Sequence, residues 1–251
     1  MYFIDTHSHI YYDKYSDDID EVIDKAFQNN VKKIICVGVD IDSSLKSIKL
    51  AEKYDNIFAT TGYHPHESKE ADSNYLKDLE ELSKHKKVVA IGETGLDYFY
   101  GISDKETQIK IFREQCELSK SLNLPIIVHN RDSDDDLLEC LIKEKISHGV
   151  IHCFASNLNF AKKITDLGMK ISFTGLITFA KELEDVVLNI PIEDMMIETD
   201  SPYLTPIPFR GKRNDPSMVK YVAQKIAEIK NISESEVGEI TSQTAETFFG
   251  I

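Results

Sequence analysis

The sequence predicts a single α/β domain built as a (β/α)8 TIM barrel. Three observations support this prediction. The length of 251 residues suits one barrel, short apolar runs recur eight times, and a segment with helical periodicity follows each of them. A doubly wound open sheet is the alternative, but it usually has fewer strands and a glycine-rich first turn, which this sequence lacks. We therefore expect residues 1–251 to form one barrel domain without linkers or repeats.

Strands and helices alternate along the chain. Ile19, Val22 and Ile23 recur at helical spacing after the first apolar run, and Asn123 and Pro125 end the longest helical segment. The predicted strands cover residues 2–10, 33–39, 57–61, 88–91, 125–128, 149–151, 169–173 and 194–197. The predicted helices cover residues 17–30, 43–54, 73–84, 104–122, 134–145, 158–167, 182–189, 216–230 and 234–249.

The composition is that of a folded, soluble domain. Hydrophobic residues make up 41% of the chain and charged residues 29%, which argues against disorder. No apolar run reaches the roughly 18–20 residues of a membrane span, and the N-terminus lacks the features of a secretory signal. We expect a cytoplasmic protein without a membrane partner, whose cysteines are reduced and mostly fill the core. The four cysteines are Cys36, Cys116, Cys140 and Cys153.

The net charge restricts how the protein could bind a polyanion. At pH 7 the formal charge is −14, whereas proteins that neutralise nucleic-acid phosphates usually present a basic face. A polyanionic substrate would therefore need bound cations and a local basic patch.

The first predicted strand contains a candidate metal-binding pair. His7 and His9 are two residues apart, so strand alternation places both side chains on one face, with Asp5 beneath them. Two imidazoles on one face can chelate one cation. Taken alone, such a pair is about as compatible with ordinary core packing as with metal binding.

Further metal-type side chains follow five of the other predicted strands. Each alone could be structural, since a buried histidine often bonds a carbonyl and an aspartate often caps a turn. The carboxyl ends of barrel strands meet at one mouth, however, so the set is expected to converge there, where unpaired buried carboxylates would be costly without cations. The set is His7 and His9 on strand one, His64 on three, Glu93 on four, His129 on five, His152 on six and Asp200 on eight.

The number of candidate ligands predicts two divalent ions. We expect His7, His9 and Asp200 to hold one ion, His129 and His152 the other, and Glu93 to bridge them. Mg²⁺, Mn²⁺ and Zn²⁺ all suit mixed imidazole and carboxylate ligands. Two such ions activate a shared water and stabilise both oxygens of a phosphodiester displacement, and Asp200 is placed to accept the proton.

The remaining histidines do not follow strands. His66, His85 and His148 are interpreted as surface residues, and Cys153 as a packing residue.

A second polar cluster follows strand eight. Tyr203 is followed by Arg210, Lys212 and Arg213, and Arg131 comes shortly after His129. The three basic residues alone would suit a solvated loop, but their place beside the expected metal site favours a phosphate clamp. We expect Arg131, Tyr203, Arg210 and Arg213 to contact the substrate.

Taken together, these motifs resemble those of the TatD family of metal-dependent hydrolases, within the amidohydrolase superfamily. The resemblance covers the chain from end to end, with one departure: Ala155-Ser156 stands where the family commonly has Ser-Gly. The motifs are Asp5-Thr6-His7-Ser8-His9, Gly62-Tyr63-His64-Pro65, Gly92-Glu93-Thr94-Gly95-Leu96-Asp97-Tyr98, His129-Asn130-Arg131-Asp132, His152-Cys153-Phe154, Glu198-Thr199-Asp200-Ser201-Pro202-Tyr203-Leu204 and Arg210-Gly211-Lys212-Arg213-Asn214-Asp215-Pro216.

The resemblance implies a divalent-metal deoxyribonuclease, often a 3′→5′ exonuclease, in the cytoplasm and associated with DNA repair or fragmentation. It implies that His64 helps to position the substrate near the scissile phosphate. It also implies six metal ligands, namely His7, His9, Glu93, His129, His152 and Asp200.

Three interpretations of function are compared. The first is hydrolysis of DNA phosphodiester bonds at single-stranded or frayed ends, because a narrow barrel mouth does not admit a duplex. The second is another amidohydrolase-type reaction on the same metal site, such as ester or lactone hydrolysis or deacylation of aminoacyl-tRNA. Many enzymes of the second kind use a modified lysine to bridge their two metal ions. In this sequence strand four offers Glu93 as the bridge, which favours the nuclease. The third, a metal-binding scaffold without catalysis, does not account for Asp200 and the basic loop.

Overall fold

The computed structural model describes residues 1–251 and confirms the barrel. Eight parallel strands form one sheet in the order of the sequence, and each pairs with the next, from β1 with β2 to β7 with β8. The strands are β1 (Phe3–Ser8), β2 (Val31–Cys36), β3 (Ile57–Thr61), β4 (Val88–Asp97), β5 (Ile126–Arg131), β6 (Gly149–Ile151), β7 (Lys170–Phe173) and β8 (Met195–Ile197).

Nine α-helices surround the sheet and follow the predicted spans closely. Side-chain caps set several of their N-termini. Asp40 caps α2 through its Oδ1, which accepts from the backbone N–H of Ser43 at 2.7 Å, so this helix begins two residues earlier than predicted. The helices are α1 (Ile19–Gln28), α2 (Ile41–Lys53), α3 (Tyr75–Ser83), α4 (Lys105–Leu122), α5 (Asp134–Glu144), α6 (Leu158–Asp166), α7 (Glu184–Asn189), α8 (Val219–Lys230) and α9 (Glu234–Phe249). None of them combines the length and apolar character needed to cross a bilayer.

The first and last strands meet in a seam just beyond the end of β8. Ser8 and Ser201 form a parallel bridge, the backbone N–H of Asp200 donates to the carbonyl of His7 at 2.9 Å, and that of His9 donates to the carbonyl of Ser201 at 2.8 Å. Buried Asp5 accepts from the hydroxyl of Thr199 at 2.6 Å. The seam closes the barrel and brings Asp200 beside the two histidines.

The C-terminal helix α9 covers the amino-terminal end of the barrel. Phe248 and Phe249 pack in one apolar cluster with strand residues such as Ile4 and Met196. Nε2 of His148, a residue just before β6, lies 3.0 Å from the carbonyl oxygen of Phe248. This end is occupied by packed side chains, so the opposite, carboxyl end is the one available for chemistry.

Strand β4 is longer than predicted. The sequence predicted an end at residue 91, because glycines interrupt the apolar pattern there. The strand instead runs to Asp97, with an irregular register against β5 between Ile91 and Thr94. Glu93 consequently lies inside a strand and is buried. The glycines permit a close approach of the two strands, since a Cβ on Gly95 would lie 2.0 Å from the carbonyl oxygen of His129.

We predict that Gly95→Ala lowers the free energy of unfolding by about 2 to 4 kcal/mol, because β4 and β5 would have to separate and φ at this position is +143°. Urea denaturation followed by circular dichroism measures the loss. Gly101→Ala is the matched control, since φ is +60° there and nothing lies within 4 Å of the added Cβ; it should cost about 1 kcal/mol. Equal losses in the two variants would contradict the close-approach argument.

Candidate metal centre

The barrel brings all six predicted ligands to its carboxyl end. His7 lies in β1 and His9 just beyond it, Glu93 lies in β4, and His129 lies in β5. His152 directly follows β6, and Asp200 lies three residues beyond β8. The most buried side chain is that of His7, which has no exposed surface, and the most open are those of Asp200 and His129, at 16% and 18% exposure.

One group of ligands lies at the seam. The Nε2 atoms of His7 and His9 are 3.2 Å apart, and Oδ1 of Asp200 lies 3.4 Å from the Nε2 of His9 and 3.9 Å from that of His7. These three side chains could each direct one atom at the same cation.

A second group lies across Glu93. Nδ1 of His129 and Nε2 of His152 are 3.3 Å apart, and they lie 3.0 Å and 2.7 Å from Oε1 of Glu93. The other oxygen, Oε2, faces the seam, 3.2 Å from Nε2 of His7. The two oxygens of one carboxylate therefore face two different pairs of imidazoles.

Hydrogen bonds at the outer edge of the rings define which nitrogens can bind a metal. Nδ1 of His9 lies 2.9 Å from the carbonyl oxygen of Val37, which can only accept, so Nδ1 carries the proton and Nε2 presents its lone pair to the site. Nε2 of His129 lies 3.1 Å from Oδ2 of Asp97, so its Nδ1 is the free nitrogen. Both rings have the orientation of metal ligands held by outer partners.

His64 lies at the same centre with the opposite tautomer. Its Nδ1 accepts from the backbone N–H of His66 at 3.1 Å, so in the neutral ring Nε2 carries the proton. Nε2 lies 3.3 Å from Oε1 of Glu93. Burial lowers the pKa of His64 to about 4, against the attraction of Glu93, so the ring is neutral at pH 7. His64 is thus a hydrogen-bond donor to the centre.

The two carboxylates of the centre are ionised. Burial would raise the pKa of Glu93, but its charge interaction with His152, whose own pKa is raised, and its hydrogen bond with His129 hold that pKa well below its usual value. Burial likewise opposes ionisation of Asp200, yet its hydrogen bond with His9 and its interactions with nearby histidines lower its pKa. Both groups therefore offer negative charge at neutral pH.

This donor set fits divalent metal ions. Two anionic carboxylates and four imidazole nitrogens, two of them with an assigned lone pair, converge in a largely buried space. Imidazole pairs at 3.2–3.3 Å with their lone pairs facing each other repel unless a cation or proton lies between them. Histidine with carboxylate ligands suits Zn²⁺, Mn²⁺ and related ions.

Two buried carboxylates beside the ligands, Asp97 and Glu198, were not predicted as site residues. Asp97 orients His129, and its Oδ2 also lies 2.9 Å from Nε2 of His66. Oε1 of Glu198 accepts from the backbone N–H of Cys153 at 2.7 Å and lies 3.5 Å from Nδ1 of His152. Both acids belong to motifs quoted from the sequence, but their roles depend on distances that only the fold defines.

The prediction for His66 was wrong. Its ring is half-buried at the centre, where it pairs with Asp97 and lies edge-on to the ring of His64, 4.5 Å between centroids. The short helical turn of residues 65–70 after β3, which was not predicted, carries it there. His85 and His148 lie away from the centre, beside Glu52 and Phe248 respectively.

The four residues that were predicted to contact the substrate lie in different local environments. Arg131 is exposed and stacks on the ring of Phe99, 4.0 Å from its centroid. Tyr203 is exposed beside Lys14, whose Nζ lies 5.0 Å from the ring centroid.

The two arginines of the basic loop are held by other groups. Arg210 stacks on Phe179 at 3.9 Å. Arg213 forms a bidentate ion pair with Asp18, with Nη1 3.0 Å from Oδ1. Neither guanidinium contacts the six ligands. A phosphate contact by Arg213 would require it to leave Asp18, so the clamp stays a prediction.

Comparisons with known proteins identify the family of this chain. A parallel barrel with histidines and carboxylates at its carboxyl end has the architecture of metal-dependent barrel hydrolases. The chain matches the family model described as TatD related DNase over residues 4–250. It is 43% identical to the metal-dependent hydrolase YabD of Bacillus subtilis, with 98% of both chains covered. It is 37% identical to YcfH of Escherichia coli, covering 100% of this chain and 97% of that one.

Solved structures give the same result. The TatD homologue YJJV from Escherichia coli K12 superposes with a TM-score of 0.95 at 30% identity, covering 99% of this chain and 98% of that one. A TatD family hydrolase from Entamoeba histolytica superposes with a TM-score of 0.91, also at 30% identity and with the same coverage. The chain belongs to the TatD family of metal-dependent hydrolases.

We predict that Asp97→Asn weakens metal binding by roughly 10- to 100-fold, because an amide cannot hold the Nε2–H of His129 as a carboxylate does. Isothermal titration of the metal-free protein with Mn²⁺ measures the affinity. Asp136→Asn serves as the control, since Asp136 accepts a hydrogen bond from the Tyr98 hydroxyl at 2.8 Å and contacts no ligand. Unchanged Mn²⁺ affinity in Asp97→Asn would show that the carboxylate does not support the ligand.

Proposed function

We propose that the protein is a divalent-metal-dependent deoxyribonuclease that hydrolyses phosphodiester bonds at single-stranded or frayed DNA ends, in the 3′→5′ direction, with a water activated between two metal ions. One observation carries the proposal: Glu93 directs its two oxygens at two separate pairs of histidines. A single carboxylate in that position suits a bridging ligand. Two divalent ions held by these residues would supply a nucleophilic water and stabilise the attacking and leaving oxygens of a phosphodiester.

Asp200 is the group proposed to receive the proton of the attacking water. Its carboxylate is ionised and lies beside the His7 and His9 nitrogens, with 16% of its side chain exposed. An ionised carboxylate within hydrogen-bond reach of a bound water can accept its proton as bond formation begins. Its two neighbouring histidines fix the side chain in that place.

His64 is proposed to orient the scissile phosphate. Its Nε2–H points into the centre, and the ring is neutral at pH 7 because burial lowers its pKa to about 4. A neutral donor can hold a phosphoryl oxygen while leaving the metal ligands undisturbed. This assigns His64 a role different from that of the four histidines predicted to be metal ligands.

The preference for DNA ends is supported by the shape and charge of the protein. The centre lies inside the mouth of an eight-stranded barrel, where a phosphate of a single strand has easier access than one inside a duplex. With a net charge of −14, the protein has little general attraction for nucleic acid, so local cations must hold the substrate. The family description as a DNase supports DNA as the substrate class, and the 3′→5′ direction and a role in DNA repair remain inferences from the family.

A cleavage assay on a 5′-labelled single-stranded oligonucleotide tests the proposal. We predict products that shorten from the 3′ end with Mg²⁺, Mn²⁺ or Zn²⁺ and no products in chelator. Glu93→Ala should lower the rate at least about 1,000-fold, since it removes the ligand shared by both metal positions. Glu117→Ala, on the exposed face of α4, is the control and should cleave like the wild type.

Two results would contradict the proposal. Wild-type turnover in Glu93→Ala with unchanged metal content would remove the bridging role. Protein with bound metal that cleaves no oligonucleotide but hydrolyses carboxylic esters, lactones or aminoacyl-tRNA would replace the nuclease with the alternative amidohydrolase reaction.

A further inference from the structure

An exposed aromatic pair lies beside the metal centre. Phe99 and Tyr100 follow β4, and each has 56% of its surface exposed. Their rings meet edge-to-face with 4.9 Å between centroids. Two large aromatic side chains left adjacent and open to solvent are unusual unless they meet a partner.

The pair is fixed to the metal centre through Asp97. Its Oδ1 accepts from the backbone N–H groups of Phe99 and Tyr100 at 3.0 and 3.2 Å, while its Oδ2 holds the metal-site residue His129. A chain of ring contacts makes the second connection: Tyr100 lies 5.3 Å from the ring of His66, which lies 4.5 Å from that of His64. The aromatic pair is therefore held at the rim of the centre.

A positively charged side chain, that of Arg131, lies against the aromatic pair. The guanidinium of Arg131 lies 4.0 Å from the ring centroid of Phe99 and 4.8 Å from that of Tyr100. Arg131 is exposed and forms no ion pair, although four aspartates line the same pocket, namely Asp132, Asp134, Asp135 and Asp136. The structure thus presents aromatic faces and an unpaired guanidinium together, a combination that binds a nucleobase by stacking and its phosphate by charge.

We propose that Phe99, Tyr100 and Arg131 form a stacking platform for the nucleobase next to the scissile phosphate of a single strand. The inference rests on the proposed nuclease function and specifies its substrate as unpaired nucleic acid recognised by its bases. Every base has an aromatic face, so the platform selects unstacked ends over duplex without selecting sequence. Arg131 holds the adjoining phosphate, which compensates locally for the acidic charge of the protein.

Equilibrium binding tests the platform separately from catalysis. The probe is a fluorescent single-stranded oligonucleotide with phosphorothioate linkages at its 3′ end, measured by anisotropy with Mn²⁺-loaded protein. A matched probe has abasic sites at its two 3′-terminal positions. We expect the double variant Phe99→Ala/Tyr100→Ala to bind the first probe roughly 5- to 150-fold more weakly, and the wild type to lose a similar factor on the abasic probe.

The variant should not distinguish the two probes, and this loss of discrimination is the decisive result. Phe99→Tyr/Tyr100→Phe, which keeps both rings, should retain wild-type discrimination, and Leu188→Ala, an exposed apolar residue elsewhere with 58% exposure, should change nothing. Turnover of bis(4-nitrophenyl) phosphate, which has no base, should stay within about twofold in the double variant.

The platform would be overturned if the double variant bound both probes more weakly than the wild type by the same factor. It would also be overturned if the double variant bound both probes as tightly as the wild type. A wild type that cleaves neither the diester nor DNA, yet binds base-containing probes better than abasic ones through Phe99 and Tyr100, would overturn the proposed function and leave the platform standing.

Discussion

The structure depends on one buried carboxylate. Glu93 is 3% exposed and lies among imidazoles from β1, β5 and β6, with His64 beyond β3. Burying an isolated carboxylate this completely would cost folding free energy. Burying several protonated imidazoles without a negative partner would also cost folding free energy. Together they stabilise one another electrostatically, and the same arrangement could hold divalent cations.

The fold satisfies the conditions that this carboxylate imposes. Gly92 and Gly95 let β4 pass close to β5 while its register shifts, so that Glu93 turns toward the other ligands. The seam between β1 and the segment after β8 holds Asp200 next to His7 and His9. Outer partners define the free nitrogen of two rings, the carbonyl of Val37 for His9 and the carboxylate of Asp97 for His129. Two of the four ligand imidazoles are therefore oriented by a backbone carbonyl or a buried acid.

The fold and the metal ligands could be predicted from the sequence, because both follow from local patterns along the chain. Short apolar runs, helical segments between them and metal-type side chains in or just after six of the eight runs were sufficient to predict the barrel and to place His7, Glu93 and Asp200 at one mouth. Contacts between residues that are distant in the sequence could not be predicted from such local patterns. His66 was misread because its helical turn has no strong pattern, and β4 was cut short because glycine usually interrupts a strand. The pairing of Arg213 with Asp18 joins residues 195 positions apart, which no local pattern encodes.

The central claim is that Glu93 lies between two metal positions. Its most direct test is anomalous diffraction from crystals of the protein grown with Mn²⁺. We predict two anomalous peaks about 3.5–4 Å apart, one beside His7, His9 and Asp200 and the other beside His129 and His152, with one oxygen of Glu93 directed at each. A single peak at full occupancy, with Glu93 bound through one oxygen only, would contradict the account.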